Sequence, residues 1–428
     1  MRLSRYVFIL LFFIVFMVCC KGPSKVVTTP VNYSALYNPA VTSLHPVVNI
    51  FHSKDSVSEL TIKLFPDELL FNKANEEGKM TARVKITCLL SEKNSNNENI
   101  TIDSLINDFK LEQNDINKRY FLTVELKAVK GHEYMLNTEV KDINRSTGVK
   151  LYNYINKTDI YNEQNFRVLY ERNRQLMFNP KVNEKEKLFI VYNNPAIKKL
   201  YIKHYSDYQE IPAPAYSVIY EPDFYKSYDT LWAENYDGYI IFEPEKEGLY
   251  LIQADTNIQK GLSVMRFYEG YPKIETSDVM IRPIIYLDNS PKYNEIINST
   301  NKKLAVDKYW LGLCSDNTER ARQLIRIYYN RVFFANYYFT SYKEGWMTDR
   351  GMIFIIYGQP DIVNKDLQTE TWKYIGGKMT EKIVFTFSRN ENPYSNDHFV
   401  LNRTGINTYW REAVSSWQEG KIFSADEL

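Results

Sequence analysis

The chain has 428 residues, of which 44% are hydrophobic and 25% charged, and this composition predicts a folded protein large enough for two or three domains. The formal net charge is +1, so the composition shows no electrostatic footprint typical of a nucleic-acid-binding protein, and no nucleic-acid partner is expected. Tyrosine is abundant, with 34 residues, and supplies flat amphipathic area suited to half-buried strands and to interfaces.

The N-terminus has the layout of a secretory signal, because Arg2 and Arg5 precede an unbroken apolar run over residues 6–18. Thirteen residues are too few to span a bilayer comfortably as a helix. The run ends in Cys19 and Cys20, and these features together resemble a bacterial lipoprotein signal, which is cut before a cysteine that is then acylated. Cys20 is the better candidate for lipidation. A plain cleaved signal peptide or an uncleaved anchor is the alternative.

The lipoprotein resemblance implies a signal peptide over residues 1–19 and a polar tether over residues 20–33. Acyl chains on Cys20 would anchor the protein to a membrane while the polypeptide stays in water. No acidic cluster follows this cysteine. In the Bacteroidetes lipoproteins that the segment resembles, an acidic signal there accompanies export to the cell surface. The expected location is therefore the periplasmic face of the outer membrane.

The remaining cysteines and the histidines do not form a pattern typical of a metal or redox site. Cys88 and Cys314 lie far apart in the sequence, and we interpret both as small buried residues rather than as a disulfide. The five histidines are scattered, and no pair has helical metal-ligand spacing. No metal and no cofactor are expected.

Residues 34–160 show short apolar strands separated by polar turns. In "TARVKITCLL", Ala82, Val84, Ile86 and Cys88 alternate with polar residues, which predicts a strand with one buried face. Repetition of such strands predicts an antiparallel β-sandwich.

Residues 161–288 form a second β-rich region, which we also predict to be a sandwich. Tyr250 near the start of one predicted strand resembles the tyrosine that immunoglobulin-like sandwiches bond back to a neighbouring corner. Residues 209–237, rich in proline and tyrosine, are expected to form a long loop that is either an interface or a plain surface excursion.

From residue 289 to residue 428 the sequence pattern changes from mainly strand-like to a mixture of helix and strand. Apolar residues at helical spacing over 316–342 predict one long amphipathic helix, capped at Asp316 or Asn317 and preceded by a shorter helix over 301–314. Four strands are predicted after it. The expected fold is therefore multidomain and mainly β, with two antiparallel Ig-like β-sandwich domains followed by a C-terminal α+β domain in which a long helix packs on a small antiparallel sheet.

The segment "GWMTDRG", residues 345–351, lies between the long helix and the first of these strands. It matches the pattern Gly-Trp-x-Thr-Asp, and "NRVFFANYYF" before it and "IFIIYGQPD" and "TETWKY" after it agree as well. The C-terminal region thus resembles the GWxTD-domain family of bacterial envelope proteins, roughly over residues 289–428. The family name describes a motif and not a chemistry, so the resemblance implies no catalytic residue.

Each residue of the motif has a structural role that needs no substrate. We expect Gly345 to take a left-handed conformation at the end of the helix and Trp346 to turn inward. Thr348 and Asp349 are expected to accept hydrogen bonds from nearby backbone amides. Gly351 would let the chain enter a strand.

That strand is predicted over residues 352–357. Gly358, Pro360 and Asp361 are expected to stop it, since proline cannot donate a hydrogen bond to a strand ladder.

Arg350 is expected to pair with Asp349 or with a carboxylate on the facing helix. The alternative is a functional role in which Asp349 acts as a general base or binds a ligand beside Arg350, with Tyr357 or Trp372 as a stacking surface. A structural pair is the more common arrangement for an adjacent acid and base.

Three Asp-Ser/Thr-aliphatic triplets resemble the O-glycosylation acceptor of Bacteroidetes envelope proteins. They contain Ser56, Ser104 and Thr230. The resemblance implies a glycan at these residues, on exposed loops.

The expected function is that of a structural or interaction component of an envelope assembly or secretion-type machine, and not that of an enzyme. Its expected partners are the membrane, through the lipid anchor, and other envelope proteins. One alternative is a carbohydrate- or peptide-processing enzyme with its site at Asp349 and Arg350. Another is a sugar-binding lipoprotein that uses Trp232 and Trp372. An enzyme predicts Asp349 in an open cleft, whereas the interaction role predicts Asp349 buried among local hydrogen bonds.

Overall fold

In the computed structural model, the described residues are 31–38, 43–74, 76–95, 98–113, 118–179, 181–206, 214–217, 228–288, 291–375 and 383–423. Asn32–Leu428 form one compact unit. Lipidation at Cys20, the signal peptide and most of the tether fall outside the described residues. Within the ranges given above, no helix is long and apolar enough to cross a membrane.

The first β-rich region contains two sheets. Its strands are β1 (Val47–Lys54), β2 (Val57–Leu64), β3 (Lys73–Ala74), β4 (Met80–Lys93), β5 (Asn99–Glu112), β6 (Tyr120–Leu126), β7 (Glu133–Asp142) and β8 (Thr147–Asn156), with 3-10 turns at Ser34–Tyr37 and Pro66–Glu68. One sheet has the order β1-β2-β6, and the other has the order β3-β4-β7-β8 with β5 paired to β4. Pairing within both sheets is antiparallel.

The predicted alternation in β4 is confirmed, because Ala82, Val84, Ile86 and Cys88 are all buried. They join a single apolar cluster to which strands of both sheets contribute. Strand β5 was not predicted, since its side chains alternate between exposed and half-buried and no face of it is fully buried.

The second β-rich region also contains two sheets. Its strands are β9 (Phe166–Tyr170), β10 (Lys181–Val182), β11 (Leu188–Tyr192), β12 (Lys199–Tyr205), β13 (Thr230–Asn235), β14 (Ile240–Phe242), β15 (Gly248–Gln253) and β16 (Leu262–Arg266), with a 3-10 turn at Glu163–Asn165. Their orders are β14-β11-β9 and β10-β16-β15-β12-β13. Strand β13 lies within residues 209–237, which were expected to be one long loop.

Tyr250 makes the contact expected of a corner tyrosine. Its hydroxyl donates to the carbonyl of Lys246 and accepts from the amide of the same residue, each at 2.9 Å. The side chain is buried in the core that the two sheets of this region share. A hydrogen bond in both directions satisfies the phenol inside an apolar core.

The C-terminal region combines helices with one four-stranded antiparallel sheet. The helices are α1 (Ser277–Ile281), α2 (Pro291–Ile297), α3 (Lys302–Leu313), α4 (Thr318–Phe339), α5 (Asp349–Tyr357) and α6 (Asn407–Gln418), with 3-10 turns at Arg282–Tyr286 and Gly345–Met347. The strands are β17 (Ile362–Lys365), β18 (Thr369–Tyr374), β19 (Ile383–Arg389) and β20 (Phe399–Leu401), in sequential order. The described chain is thus mainly β, with several antiparallel sheets and a small C-terminal helical region.

The predicted long helix is confirmed as α4, and Asn317 is its cap, because its side chain accepts from the amide of Arg320 at 3.0 Å. The strand predicted over residues 352–357 is wrong. These residues belong to α5, which is buried on all sides. A short apolar run does not distinguish a buried strand from a buried helix, and the Thr348 side chain caps the first turn, which selects the helix.

Candidate functional site

The GWxTD turn, defined here as residues 345–351, is pressed against α4. A Cβ atom on Gly345 would lie 2.0 Å from the carbonyl oxygen of Ala335, and one on Gly351 would lie 2.0 Å from the carbonyl oxygen of Gly345. Gly345 does not have the expected left-handed backbone, since it is not among the residues with positive φ. Its role is close approach: no side chain fits between the turn and the helix.

Trp346 is 1% exposed and turns inward, as expected. Its indole nitrogen donates to Glu344 Oε2 at 2.7 Å, and its amide donates to the Asn336 side chain at 2.9 Å. Its carbonyl accepts from the Tyr286 hydroxyl at 2.6 Å. Arg282 pairs with the other oxygen of Glu344 at 2.9 Å and lies over the indole ring. Every polar group of this tryptophan is therefore engaged in local structure.

Thr348 links the two halves of the turn. Its hydroxyl donates to the carbonyl of Gly345 at 2.8 Å and accepts from the amide of Gly351 at 3.0 Å, which caps α5. The backbone of Thr348 is extended, as a capping residue requires.

Asp349 is 3% exposed, and both of its carboxylate oxygens have partners. Oδ2 accepts from the amide of Leu401 at 2.7 Å and from Arg403 Nη1 at 3.2 Å. Oδ1 accepts from Arg403 Nη2 at 2.7 Å. Arg403 is therefore a forked partner, and the pair ties the first turn of α5 to the end of β20. Among the described residues, Asp349 does not line an open cleft.

Asp349→Asn is expected to lower the free energy of unfolding by about 2–4 kcal/mol, because the amide group turns a donor toward Arg403 or Leu401 and removes the negative charge that faces the buried Arg403 guanidinium. Urea unfolding of the purified protein measures this loss. Asp307→Asn is the control, since Asp307 is half-exposed and lies 3.7 Å from Lys303; its loss should stay below about 0.5 kcal/mol. Equal stability of Asp349→Asn and wild type would contradict the structural role.

Arg350 does not pair with Asp349 or with a carboxylate of the facing helix, which corrects the expected partners. It is 2% exposed, and its Nη1 donates to Glu370 Oε2 at 3.0 Å. Its Nη2 donates to the carbonyl and the carboxylate of Asp397, at 2.7 and 3.1 Å. The guanidinium lies 4.6 Å from the ring centre of Phe399. Neighbouring side chains of the turn therefore point to different partners: Asp349 toward β20 and Arg350 toward β18.

Glu370 is the centre of a buried polar cluster, named here the Glu370 cluster, which also contains Tyr37, Arg350, Lys365 and Trp372. Glu370 Oε1 accepts from the Tyr37 hydroxyl at 2.6 Å and from the Trp372 indole at 2.8 Å. Oε2 lies 3.4 Å from Lys365 Nζ, which also donates to the Tyr37 hydroxyl at 2.7 Å. Burial alone would raise the pKa of Glu370, but Lys365, Arg350 and these hydrogen bonds lower its pKa to about 2.

The segment after α5 ends the helix rather than a strand. Gly358 has a φ of +82°, and its amide donates to the carbonyl of Phe354 at 2.9 Å. Pro360 follows at a position where a helix cannot continue. Asp361 accepts from the amide of Ile375 at 2.5 Å, which connects the segment to the end of β18. Gly358, Pro360 and Asp361 therefore end a helix, whereas the sequence pattern had predicted that they end a strand.

The two proposed stacking surfaces are not available to a ligand, because Tyr357 is 2% exposed and Trp372 is fully buried. Trp232 differs, since it is exposed on β13 and its ring is stacked on that of Tyr250 at 6.3 Å. The structure places Trp232 and Trp372 in different sheets, so they do not form one binding surface.

The three candidate glycosylation residues occupy different settings. Ser56 is exposed in the turn between β1 and β2, as expected. Ser104 is exposed but lies in β5, and Thr230 is half-buried in β13. Both strands are at sheet edges, which corrects the expectation of loops for these two residues.

Five partners of the motif were not predicted from the sequence: Tyr37, Lys365, Glu370, Asp397 and Arg403. One of them had a readable signal. Glu370 lies two residues before Trp372, so both side chains share one face of β18. Tyr37, Asp397 and Arg403 are separated from the turn by long stretches of sequence, and nothing in the local pattern around Lys365 connects Lys365 to the turn.

No cluster of three or more His, Cys, Asp or Glu side chains suited to a metal ion occurs among the described residues. Cys88 and Cys314 are both free; Cys88 is buried and Cys314 is partly exposed.

Residues 248–419 match the GWxTD domain family. No curated protein matches the chain. Among solved structures, Bacteroides uniformis β-glucuronidase is similar at 12% identity and a TM-score of 0.17, over 32% of this chain and 16% of that one. Red sea bream transglutaminase is similar at 10% identity and a TM-score of 0.19, over 54% of this chain and 32% of that one. The chain thus spans less than two thirds of either protein, and TM-scores this low carry no implication for fold or activity. The region that begins at β15 and includes the turn, residues 248–419, is a GWxTD domain.

Proposed function

We propose that this protein is an outer-membrane-anchored lipoprotein that faces the periplasm and serves as a structural or interaction component of an envelope assembly. The observation that carries the proposal is the use of the motif's polar groups. Trp346, Thr348 and Asp349 direct their hydrogen-bonding atoms to neighbouring backbone and side chains. A motif engaged in this way holds a scaffold in place, and it leaves no acid or base free for catalysis.

The scaffold offers a surface suited to a protein partner. Strand β5 is fourteen residues long, lies at the edge of its sheet and is paired to β4. Its exposed side chains include Ile100, Ile102 and Ile106, of which Ile106 is 65% exposed. An edge strand of this length with exposed apolar side chains can accept a strand from another protein, with main-chain hydrogen bonds for affinity and side chains for specificity.

The proposal also includes a lipid anchor at Cys20 and an Ig-like architecture for the two β-rich regions. Lipidation of Cys20 rests on the signal-like N-terminal sequence. In each β-rich region the two sheets share one apolar core, and Tyr250 makes a corner contact in the second region. Both features support an Ig-like arrangement of these regions. In such an arrangement, consecutive sandwiches would hold the GWxTD domain away from the membrane.

Purification of the tagged full-length protein from gently solubilised membranes tests this function. We expect a defined partner to copurify, and Ile106→Lys to reduce its recovery about tenfold, because a charge on the apolar edge opposes strand addition. Ile241→Lys is the matched control, since Ile241 is also exposed on an edge strand, β14, and its recovery should equal that of wild type.

Recovery of the protein without a partner would overturn the interaction proposal. An enzymatic activity that is lost in Asp349→Asn, while the free energy of unfolding is unchanged, would also overturn it. That result requires a chemical role for the Asp349 carboxylate, to which we assign a structural role.

A further inference from the structure

A group of aromatic and basic side chains lies at the outer face of the β1-β2-β6 sheet. It contains Lys63, Phe65, Arg119, Phe121 and Phe178, and it is named here the Phe121 patch. Lys63 and Phe121 are opposite each other on β2 and β6, and their neighbours along each strand are buried in the core. Phe178 belongs to the second β-rich region and stacks on Phe121, with ring centres 5.9 Å apart. Both β-rich regions therefore contribute to this surface.

The two cations of the patch lie against its rings. Lys63 Nζ is 4.7 Å from the ring centre of Phe178 and 5.6 Å from that of Phe65. The Arg119 guanidinium is 4.9 Å from the same Phe65 ring. A ring face attracts a cation but does not neutralise its charge. Two like charges are therefore held beside one phenylalanine.

The positive charge of the patch is not balanced locally. The pKa of Lys63 is lowered by burial and then by the charge of Arg119, and no carboxylate of the described residues offsets these two effects. The acids that share this face of β2 and β6, Glu59 and Glu125, are each four residues farther along their strand, about 13 Å away. Glu59 is already paired with Arg167. An anion at the patch would relieve the repulsion between the two cations.

The patch is accessible from solvent. The Phe121 side chain is 40% exposed, Arg119 is exposed, and Lys63, Phe65 and Phe178 are half-buried. Apolar side chains that are grouped at a surface, with charged residues beside them, are typical of an interaction surface.

The position of the patch favours a bilayer over a peptide as its partner. A peptide strand adds along the edge of a sheet through backbone hydrogen bonds, whereas Lys63 and Phe121 stand on the face of the sheet. β2 is also paired on both sides, to β1 and to β6. Rings beside cations suit the boundary of a bilayer, where the rings enter the apolar layer and the cations reach the phosphate groups.

We propose that the Phe121 patch binds the surface of a bilayer that contains anionic phospholipids. This inference rests on the proposed lipid anchor at Cys20, which would bring the patch to a membrane. Asn32, where the compact unit begins, follows Cys20 by twelve residues, and an extended chain of that length spans about 40 Å. A tether of this reach lets the folded unit turn the patch toward the bilayer.

The test uses the full-length protein, reconstituted into vesicles of phosphatidylcholine and phosphatidylglycerol with brominated acyl chains. Bromine quenches tryptophan fluorescence only at short range, so Phe121→Trp reports contact with the apolar layer. Ile106→Trp is the matched control, because Ile106 is exposed on the other sheet of the same β-rich region. After subtraction of wild-type fluorescence, we expect the tryptophan of Phe121→Trp to be quenched about threefold more than that of Ile106→Trp.

The role of charge is tested in the Phe121→Trp background. Lys63→Gln combined with Arg119→Gln should reduce quenching to the level of Ile106→Trp, and so should vesicles of phosphatidylcholine alone. Lys150→Gln combined with Lys199→Gln is the control, since both lysines are exposed on strands outside the patch. This second pair of substitutions should leave the quenching unchanged.

The proposal is overturned if Phe121→Trp is quenched no more than Ile106→Trp while the protein floats with the vesicles; the lipid anchor would then stand without the patch. Equal quenching with and without phosphatidylglycerol would also overturn it. A protein that does not float with the vesicles would overturn the anchor and the patch together. Recovery from membranes of an acidic protein partner that is lost with Lys63→Gln and Arg119→Gln would assign the patch to a protein instead.

Discussion

Gly345→Ala is expected to lower the free energy of unfolding by more than about 4 kcal/mol, or to prevent the GWxTD domain from folding. The added methyl group would lie 2.0 Å from the carbonyl oxygen of Ala335 and 2.7 Å from the Cα of Asn336. Both atoms are backbone of α4, so no side chain can move aside. The turn itself would have to separate from the helix, and Trp346 would lose the hydrogen bond to Asn336.

Urea unfolding followed by tryptophan fluorescence measures this loss, because five of the six tryptophans lie in the GWxTD domain. Gly312→Ala is the matched control. Gly312 lies in α3 with nothing within 4 Å of the added carbon, and alanine there should raise the free energy of unfolding by about 0.5–1 kcal/mol. A wild-type midpoint for Gly345→Ala would refute the close-approach role of this glycine.

Glu370→Gln is expected to lower the free energy of unfolding by about 3–5 kcal/mol at neutral pH. Glu370 accepts hydrogen bonds from Tyr37 and Trp372 and faces two cations, Arg350 and Lys365. Glutamine has one acceptor oxygen and an amide donor. The substitution therefore leaves buried positive charge uncompensated and places a donor against donors.

The same residue gives the protein a distinctive pH dependence. The pKa of Glu370 lies at about 2 in the folded protein, well below the ordinary value of a glutamate side chain, so the folded state favours the charged carboxylate. Its stabilisation, about 3 kcal/mol, is fully present above about pH 5 and is lost as the pH falls toward 2. Glu344 and Glu163 act in the opposite direction, because burial raises the pKa of each.

The difference in unfolding free energy between wild type and Glu370→Gln isolates this contribution, since the other carboxyl groups titrate in both proteins. We expect the difference to shrink from pH 5 toward pH 2. Glu319→Gln is the control, because the Glu319 side chain is 81% exposed and its bond to Arg322 should contribute less than about 0.5 kcal/mol at any pH. A difference that stays constant with pH would show that the Glu370 carboxylate is not held charged by its partners.

Several elements could be predicted from sequence because their patterns are local. The period of two in β4 and the helical spacing in α4 each show which residues of one segment face the core and which face solvent. The Asn317 cap of α4 is also local, because the residue that it caps lies in the first turn of the same helix. The inward orientation of Trp346 and the hydrogen bond that Thr348 accepts from a nearby backbone amide are of the same kind. Tyr250 also belongs here, since its partner lies four residues away.

Strand β5 and helix α5 show where local pattern is insufficient. β5 has no fully buried face, so nothing in its sequence marks a boundary with the core. α5 is buried on all sides, and a uniformly apolar run has no period from which helix or strand can be chosen.

The sequence by itself determined the buried face of β4, the helical spacing and Asn317 cap of α4, and the inward orientation of Trp346. Only the tertiary structure decided what the GWxTD turn holds together. Arg350 meets Glu370, and Glu370 meets Tyr37, a residue from the opposite end of the chain. The reason is physical: a buried charge must be paired, but any cation or carboxylate that the fold brings near can satisfy it, so the choice of partner is made by packing and not by spacing along the chain.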